Sequence, residues 1–241
     1  MKPSINQILI VMLLLVMTSC YTLSTHQTAK SLGEGNEEFR LSATLISAPK
    51  SSLNSNSNEY FYDSNMLCFP QLNYMRGITE KLDLGATFGF DKTGLNSKFQ
   101  ILGNKESSLA MASGLNVFSS ILVTRHDLGD VTFIENGISY GLEVPLYFSY
   151  HPTDQIAVYS NPIFMMCKPI NQISVVDKEL PFFYNGNYKG ISSGLQWSLP
   201  SVLPREDASL VLSVEFNWSA PLKGSDYIFS GGVGLIFRGF Y

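Results

Sequence analysis

The chain has 241 residues, 45% of them apolar and only 15% charged, with a formal net charge of −4; typical soluble domains carry about 25% charged residues. Sixteen Lys and Arg stand against twenty Asp and Glu, with no basic stripe or run, which excludes the electrostatic footprint of a nucleic-acid binder. Beyond the N-terminus no uninterrupted apolar stretch approaches the roughly 18–20 residues of a spanning helix, so any membrane crossing falls to strands.

Residues 1–19 read as an export signal: Lys2 supplies one positive charge and Ile8 to Met17 form a nearly unbroken apolar core. Met17-Thr18-Ser19-Cys20 follows and resembles the lipobox of bacterial lipoproteins. The resemblance implies that Cys20 is lipidated and becomes the mature N-terminus; the other reading is an ordinary cleaved signal with an incidental Cys. Tyr21, rather than Asp, after the Cys resembles the pattern that sorts lipoproteins to the outer membrane.

Residues 20–38 show no strand alternation and are expected to be a periplasmic tether or a plug. Gln27-Thr28-Ala29-Lys30-Ser31-Leu32-Gly33-Glu34-Gly35 resembles the segment that lies between the lipidated Cys and the first strand in a group of small outer-membrane barrel lipoproteins. Cys68 and Cys167 remain in the mature chain, and both a pair formed in an oxidising periplasm and two free thiols stay open.

From Phe39 to Tyr241 ten segments alternate in polarity, as strands do when successive side chains point to opposite faces. Phe39, Leu41, Ala43 and Leu45 mark the first; Leu72 and Tyr74 the second, which contains Pro70; Leu82, Leu84, Ala86, Phe88 and Phe90 the third. Leu95, Phe99 and Ile101 mark the fourth and Leu109, Met111, Leu115 and Val117 the fifth. The sixth is the cleanest, with Ile138, Tyr140, Leu142, Val144, Leu146, Phe148 and Tyr150 opposed to Ser139, Gly141, Glu143, Tyr147 and Ser149. Ile156 to Cys167, interrupted by Pro162, is the seventh, and Ile191, Leu195, Trp197 and Leu199 mark the eighth. The ninth sets Leu210, Leu212, Val214, Phe216 and Trp218 against Ser213, Glu215, Asn217 and Ser219, and the tenth runs through Val233, Leu235 and Phe237 to Tyr241.

This pattern predicts an all-β, antiparallel up-and-down transmembrane barrel of about ten strands over residues 39–241. Tyr140 and Tyr150 would lie roughly 25 Å apart along the membrane normal, the spacing of two aromatic girdles; Trp197, Trp218 and Tyr241 join them. Residues 77–81, 103–107 and 151–155 are compact turns, whereas 50–64, 120–136 and 169–185 are longer connections, the alternation expected of periplasmic turns and external loops. An even strand number puts both ends of the barrel on the periplasmic side, where a lipidated N-terminus enters the inner leaflet. Gly77 to Gly85 resembles the Gly-Ile-Thr-Asp-Lys-Leu-Asp-Leu-Gly hairpins of outer-membrane barrels. The last strand resembles the signal read by the barrel-assembly machinery, with Gly239 where an apolar residue is common.

Alternation assigns Arg40, Thr44, Asn73, Asp83, Lys98, Gln100, Glu143, Glu215, Asn217 and Arg238 to the lumen, as a network of paired charges and hydrogen bonds or as the wall of a small polar conduit. No Cys/His spacing suits a metal and no Gly-rich phosphate loop precedes a helix, so neither metal nor cofactor is expected. The chain is expected to be a non-enzymatic outer-membrane lipoprotein with a structural, surface-interaction or limited small-solute role, its solute or partner unspecified. The rival readings are a soluble lipid-tethered barrel binding an apolar ligand, with the polarity reversed, and a barrel hydrolase acting through His126-Asp127 in the fifth-to-sixth connection.

Overall fold

A computed structural model describes residues 25–47, 66–89, 92–128, 131–169, 186–199, 209–222 and 228–239. Ten strands form one closed sheet: β1 (Glu37–Ser47), β2 (Met66–Gly77), β3 (Leu82–Gly89), β4 (Thr93–Leu102), β5 (Leu109–Leu128), β6 (Val131–Tyr150), β7 (Ile156–Pro169), β8 (Gly186–Leu199), β9 (Ser209–Pro221) and β10 (Ile228–Arg238). Every strand pairs antiparallel with its sequence neighbours, and β1 closes on β10 in a register running from Glu38↔Arg238 to Ile46↔Ser230. Closure leaves the barrel no free edge.

Burial follows the period of two imposed by the pleat. In β9 Val211, Ser213, Glu215 and Asn217 are buried while Leu212, Val214 and Phe216 are exposed. Glu215 is fully buried, whereas its neighbour Phe216 is 70% exposed. Leu95, Val117, Tyr140, Leu195 and Val233 are likewise exposed, on five different strands. The apolar rows therefore face outward and the polar rows face the lumen, the reverse of a soluble barrel, which keeps its apolar set inside.

One end, the turn end, carries the connections 78–81, 103–108 and 151–155 together with the finish of β8, the start of β9, the start of β1 and the finish of β10. Thr79 Oγ1 accepts from the main-chain N–H groups of Lys81 and Leu82, and Asn104 Oδ1 from those of Glu106 and Ser107, side chains standing in for turn hydrogen bonds. At the opposite, far end the expected connection 120–136 is not a loop. β5 and β6 are each 20 residues long and remain paired from Leu109↔Tyr150 to Leu128↔Val131. Charged and polar residues interrupt the alternation there, but Ile121, Val123, Thr124, Val131, Thr132 and Ile134 are β-branched, and cross-strand pairing carries the ladder through. Among the described residues, pairing with β4 and β7 reaches Ser119 and Ser139, and beyond these positions the two strands continue to pair with each other. Prolines enter the ladder without ending it: Pro70 lies opposite Ala43, and Pro162 opposite Ile191.

Candidate functional site in the barrel lumen

Residues 25–33 lie inside the barrel, and Glu34, Gly35 and Asn36 are exposed at its rim. The segment leaves β1 at the turn end, where Gly35 N donates to Gly77 O at 2.9 Å and Gly77 N to Asn36 O at 2.8 Å. Gly33 and Gly35 hold φ angles of 79° and 78°, a left-handed backbone that glycine adopts freely. Gly77 admits this turn because a Cβ there would stand 1.9 Å from the Gly33 carbonyl oxygen.

Above the turn, strand side chains grip the segment mainly by its backbone. Asp83 accepts from Leu32 N and, at 2.7 Å, from Ser31 Oγ. Gln100 Oε1 accepts from Ser31 N at 2.7 Å and Ser149 Oγ from Ala29 N at 3.1 Å. Lys98 Nζ donates to Lys30 O at 2.7 Å and also pairs with Asp83 at 3.1 Å. Asn161 Nδ2 reaches Gln27 O and Thr25 Oγ1, Gln196 Nε2 reaches His26 O, and Arg40 donates to Thr25 O at 2.6 Å.

The densest contact is at Glu215. Its carboxylate accepts from Thr25 N at 3.0 Å, His26 N at 2.6 Å, Thr25 Oγ1 at 3.2 Å and Tyr159 OH at 3.0 Å. His26 has a φ of 45°, and this kink aims two successive N–H groups at one carboxylate, the arrangement of a backbone anion nest. The imidazole lies over Gly232 and Gly234 of β10: a Cβ at Gly232 would come 3.0 Å from His26 Nε2 and from Thr44 Oγ1. Two inward positions without side chains thus form the seat of the ring.

The remaining lumenal charges are paired. Arg40 and Arg238 both meet Glu38, and Lys92 meets Glu143, which also accepts from Asn116 Nδ2 at 3.1 Å. Thr87 Oγ1 donates to Asn73 Oδ1. Arg40, Asp83, Lys98, Glu143 and Glu215 are all buried, and Arg238 is half-buried. His26 Nε2, Thr44 Oγ1 and both amide atoms of Asn217 are buried without a hydrogen bond, each such group costing about 1–3 kcal/mol. Where residues 25–33 lie, the lumen is therefore occupied, with part of its polar capacity unmet, His26 Nε2 and Thr44 Oγ1 among the unpaired atoms.

Of the residues expected to form the aromatic girdles, Tyr140, Tyr150 and Trp197 are about half exposed on the outer face, and Trp218 is partly exposed. Tyr140 and Trp218 lie toward the far end, Tyr150 and Trp197 toward the turn end. Tyr241 and Cys20 lie outside the described residues, as does the Cys68 side chain. Cys167 is a buried free thiol. The residues of the hydrolase reading are not in a loop: His126 and Asp127 belong to β5, opposite Phe133 and Thr132.

Sequence alternation misses Glu38, Tyr159, Asn161 and Lys92 as lumenal residues. Glu38 stands two positions before Arg40 and so shares its face, a signal that was present. Tyr159 and Asn161 were hidden because β7 presents apolar side chains inward, Ile163, Met165 and Cys167, which form a buried cluster with Phe118 and Tyr188. Lys92 precedes β4 and carries no periodic signal; only the folded sheet brings it to Glu143.

At the turn end His151 accepts the chain's return, its N–H bonding Ser108 O at 2.7 Å and its Nε2 lying 3.0 Å from Ser149 Oγ. Burial, then the nearby charges of Lys30 and Arg238, hold its pKa down at about 4, against 6.5 for a free imidazole. The native state thus resists a proton that the unfolded chain accepts, so this contribution to stability is complete above pH 6.5 and is lost as pH falls toward 4. A histidine NMR titration of the folded protein is expected to place this midpoint near 4; a midpoint near 6.5 would show the ring to be freely solvated.

No family model and no curated protein matches the chain. Similar solved structures are the translocator domain of autotransporter NalP from Neisseria meningitidis, at 12% identity and a TM-score of 0.46 over 86% of this chain and 89% of that one, and the N-terminal β-barrel domain of Pseudomonas aeruginosa OprF, at 9% identity and 0.38 over 86% and 99%. The Yersinia pestis outer membrane protein Ail is similar at 12% identity and 0.36 over 86% and 100%.

Proposed function

We propose that this chain is a bacterial outer-membrane barrel, lipid-anchored through Cys20 and sealed by its own residues 25–36, that serves a structural and surface-interaction role without enzymatic chemistry. The observation that carries the reading is the inverted polarity: a continuous apolar exterior has a favourable environment only in lipid, while the charged interior is satisfied by its own pairs. Outer-membrane lipid is then the principal partner, and the aromatic C-terminal strand is the part presented to the barrel-assembly machinery. Solute passage is limited to whatever the occupied lumen admits.

The β5–β6 ribbon favours the surface role. Among the described residues it extends beyond the ladders of β4 and β7, and two-stranded edges of this kind accept a further strand from a partner. The test is direct. Folded protein is expected to migrate faster on a gel before heating than after, to partition with detergent rather than water, and to give no steady conductance in planar bilayers. Partition into water would overturn the membrane reading, and a large steady conductance would overturn the seal.

A further inference from the structure

We infer that the lumen around residues 25–33 is a peptide-binding site that reads main chain more than side chains, and that a short polar peptide from another polypeptide takes this place once the resident segment is released. Every residue from Thr25 to Leu32 offers a main-chain atom to a barrel side chain. The carboxylates of Glu215 and Asp83 accept N–H groups at the two ends, from Thr25 and His26 and from Leu32, while the Arg40 and Lys98 cations donate to the carbonyls of Thr25 and Lys30. Bonds assisted by charge in this way are roughly twice as strong as neutral ones.

The gripping side chains come from β1, β3, β4, β6, β7, β8 and β9. The site is thus a property of the closed barrel, and none of these bonds uses the covalent link through Glu34, Gly35 and Asn36. Selectivity is left to a few positions. Ala29 is packed with Ala110, Ala112 and Tyr147, which limits the fifth residue to a small side chain. The second residue carries a flat ring over Gly232 and Gly234, the seventh a hydroxyl on Asp83, and the ninth is a glycine with a φ of 79°. The Gln27 side-chain oxygen, by contrast, is buried without a partner, so the barrel does not read it.

The linker decides which peptide occupies the site. A segment held by so short a tether has an effective concentration on the order of millimolar, which a peptide in trans does not match while the chain is intact. Glu34, Gly35 and Asn36 are exposed at the rim, where a chain is most readily cut. Cutting there removes the advantage and leaves the grip. The proposal rests on the occupied lumen and not on the bilayer.

Fluorescence anisotropy tests it in detergent, on the full chain with a protease site inserted after Glu34 and with His26→Pro and Leu32→Pro, which remove donors to Glu215 and Asp83 so that the cut segment leaves. The probe is a fluorescein-labelled peptide with the sequence of residues 25–33. Saturable binding to the cut chain is expected, with none at micromolar peptide to the uncut wild type. Alanine at the peptide's Gln27, Thr28 and Lys30 positions should weaken binding by less than about tenfold, whereas N-methylation of the His26 and Leu32 nitrogens should weaken it by at least about thirtyfold. Absent binding, or alanine changes as costly as N-methylation, would overturn the proposal. If the emptied barrel loses its heat-modifiable migration, the cut chain with its wild-type segment is incubated with excess isotopically heavy peptide and exchange is read by native mass spectrometry; a fragment that never exchanges would overturn it equally. A failure of the membrane reading would appear separately, in partitioning.

Discussion

Glu215→Ala is expected to release the lumenal segment and open the barrel. It removes the acceptor shared by Thr25 N and His26 N, and two main-chain donors orphaned in a buried site cost roughly 2–6 kcal/mol together. Tyr159 keeps Ser213 as a partner at 3.2 Å and Thr25 Oγ1 keeps Asn161, so the damage is concentrated on the backbone of the segment. The unpaired atoms around His26 Nε2, Thr44 and Asn217 lower the barrier further, since hydration of an emptied lumen would satisfy them. Wild-type protein in planar bilayers should be silent and the variant should show discrete openings, with a lower urea midpoint in vesicles. Glu215→Gln, which retains an acceptor oxygen but loses the charge, should fall between the two. Equal conductance and equal midpoints for wild type and Glu215→Ala would show that this carboxylate does not hold the seal.

Phe216→Lys should carry the second large effect, one residue away and for an unrelated reason. Phe216 is 70% exposed beside the midpoint of β9, where the bilayer centre would lie. A Lys at that depth costs about 2–4 kcal/mol in a membrane barrel, against about 0–1 near the interface. Leu222→Lys, at the far end and 45% exposed, should therefore be nearly silent. A protein in water would reverse the sign, because exchanging an exposed Phe for Lys improves hydration. Unfolding titrations of the two variants in lipid vesicles thus separate the environments by the depth dependence of one substitution. Equal, negligible costs at both positions would remove the bilayer from the account.

These two neighbours also show how differently residues are legible. That Phe216 and Glu215 face opposite ways followed from alternation, because a period of two is a local property of a pleated strand and needs no knowledge of the partner strand; which of the two points inward rested on the aromatic ends of the apolar rows, the alternating connection lengths and the terminal aromatic strand. The aromatic positions at Tyr140 and Tyr150 followed from the same period combined with strand rise. The network around Glu215 was half visible: its lumenal side was readable, but its occupant was not. Thr25 and His26 lie 190 and 189 residues away in sequence, in a segment whose composition suits a tether as well as a plug.

The length of β5 and β6 was misjudged for a related reason. Their outer halves carry Arg125, His126, Asp127 and Glu135, which read as a solvated connection. They are strands because each supplies the other's hydrogen bonds, a condition that belongs to the pair. Lys92 is the extreme case, a residue outside any periodic segment that becomes a buried ion-pair partner only through closure of the sheet.

By itself, then, the sequence determined the number of strands, their antiparallel order and the opposed polarity of their faces, because these arise from repeats between near neighbours. Tertiary structure alone decided what fills the lumen, which acids meet which bases and how far the β5–β6 ladder extends. The first two depend on backbone donors and charges that become neighbours only in the folded barrel, and the third on hydrogen bonds that each strand of the pair supplies to the other; local polarity encodes neither, because it does not say which distant groups will meet.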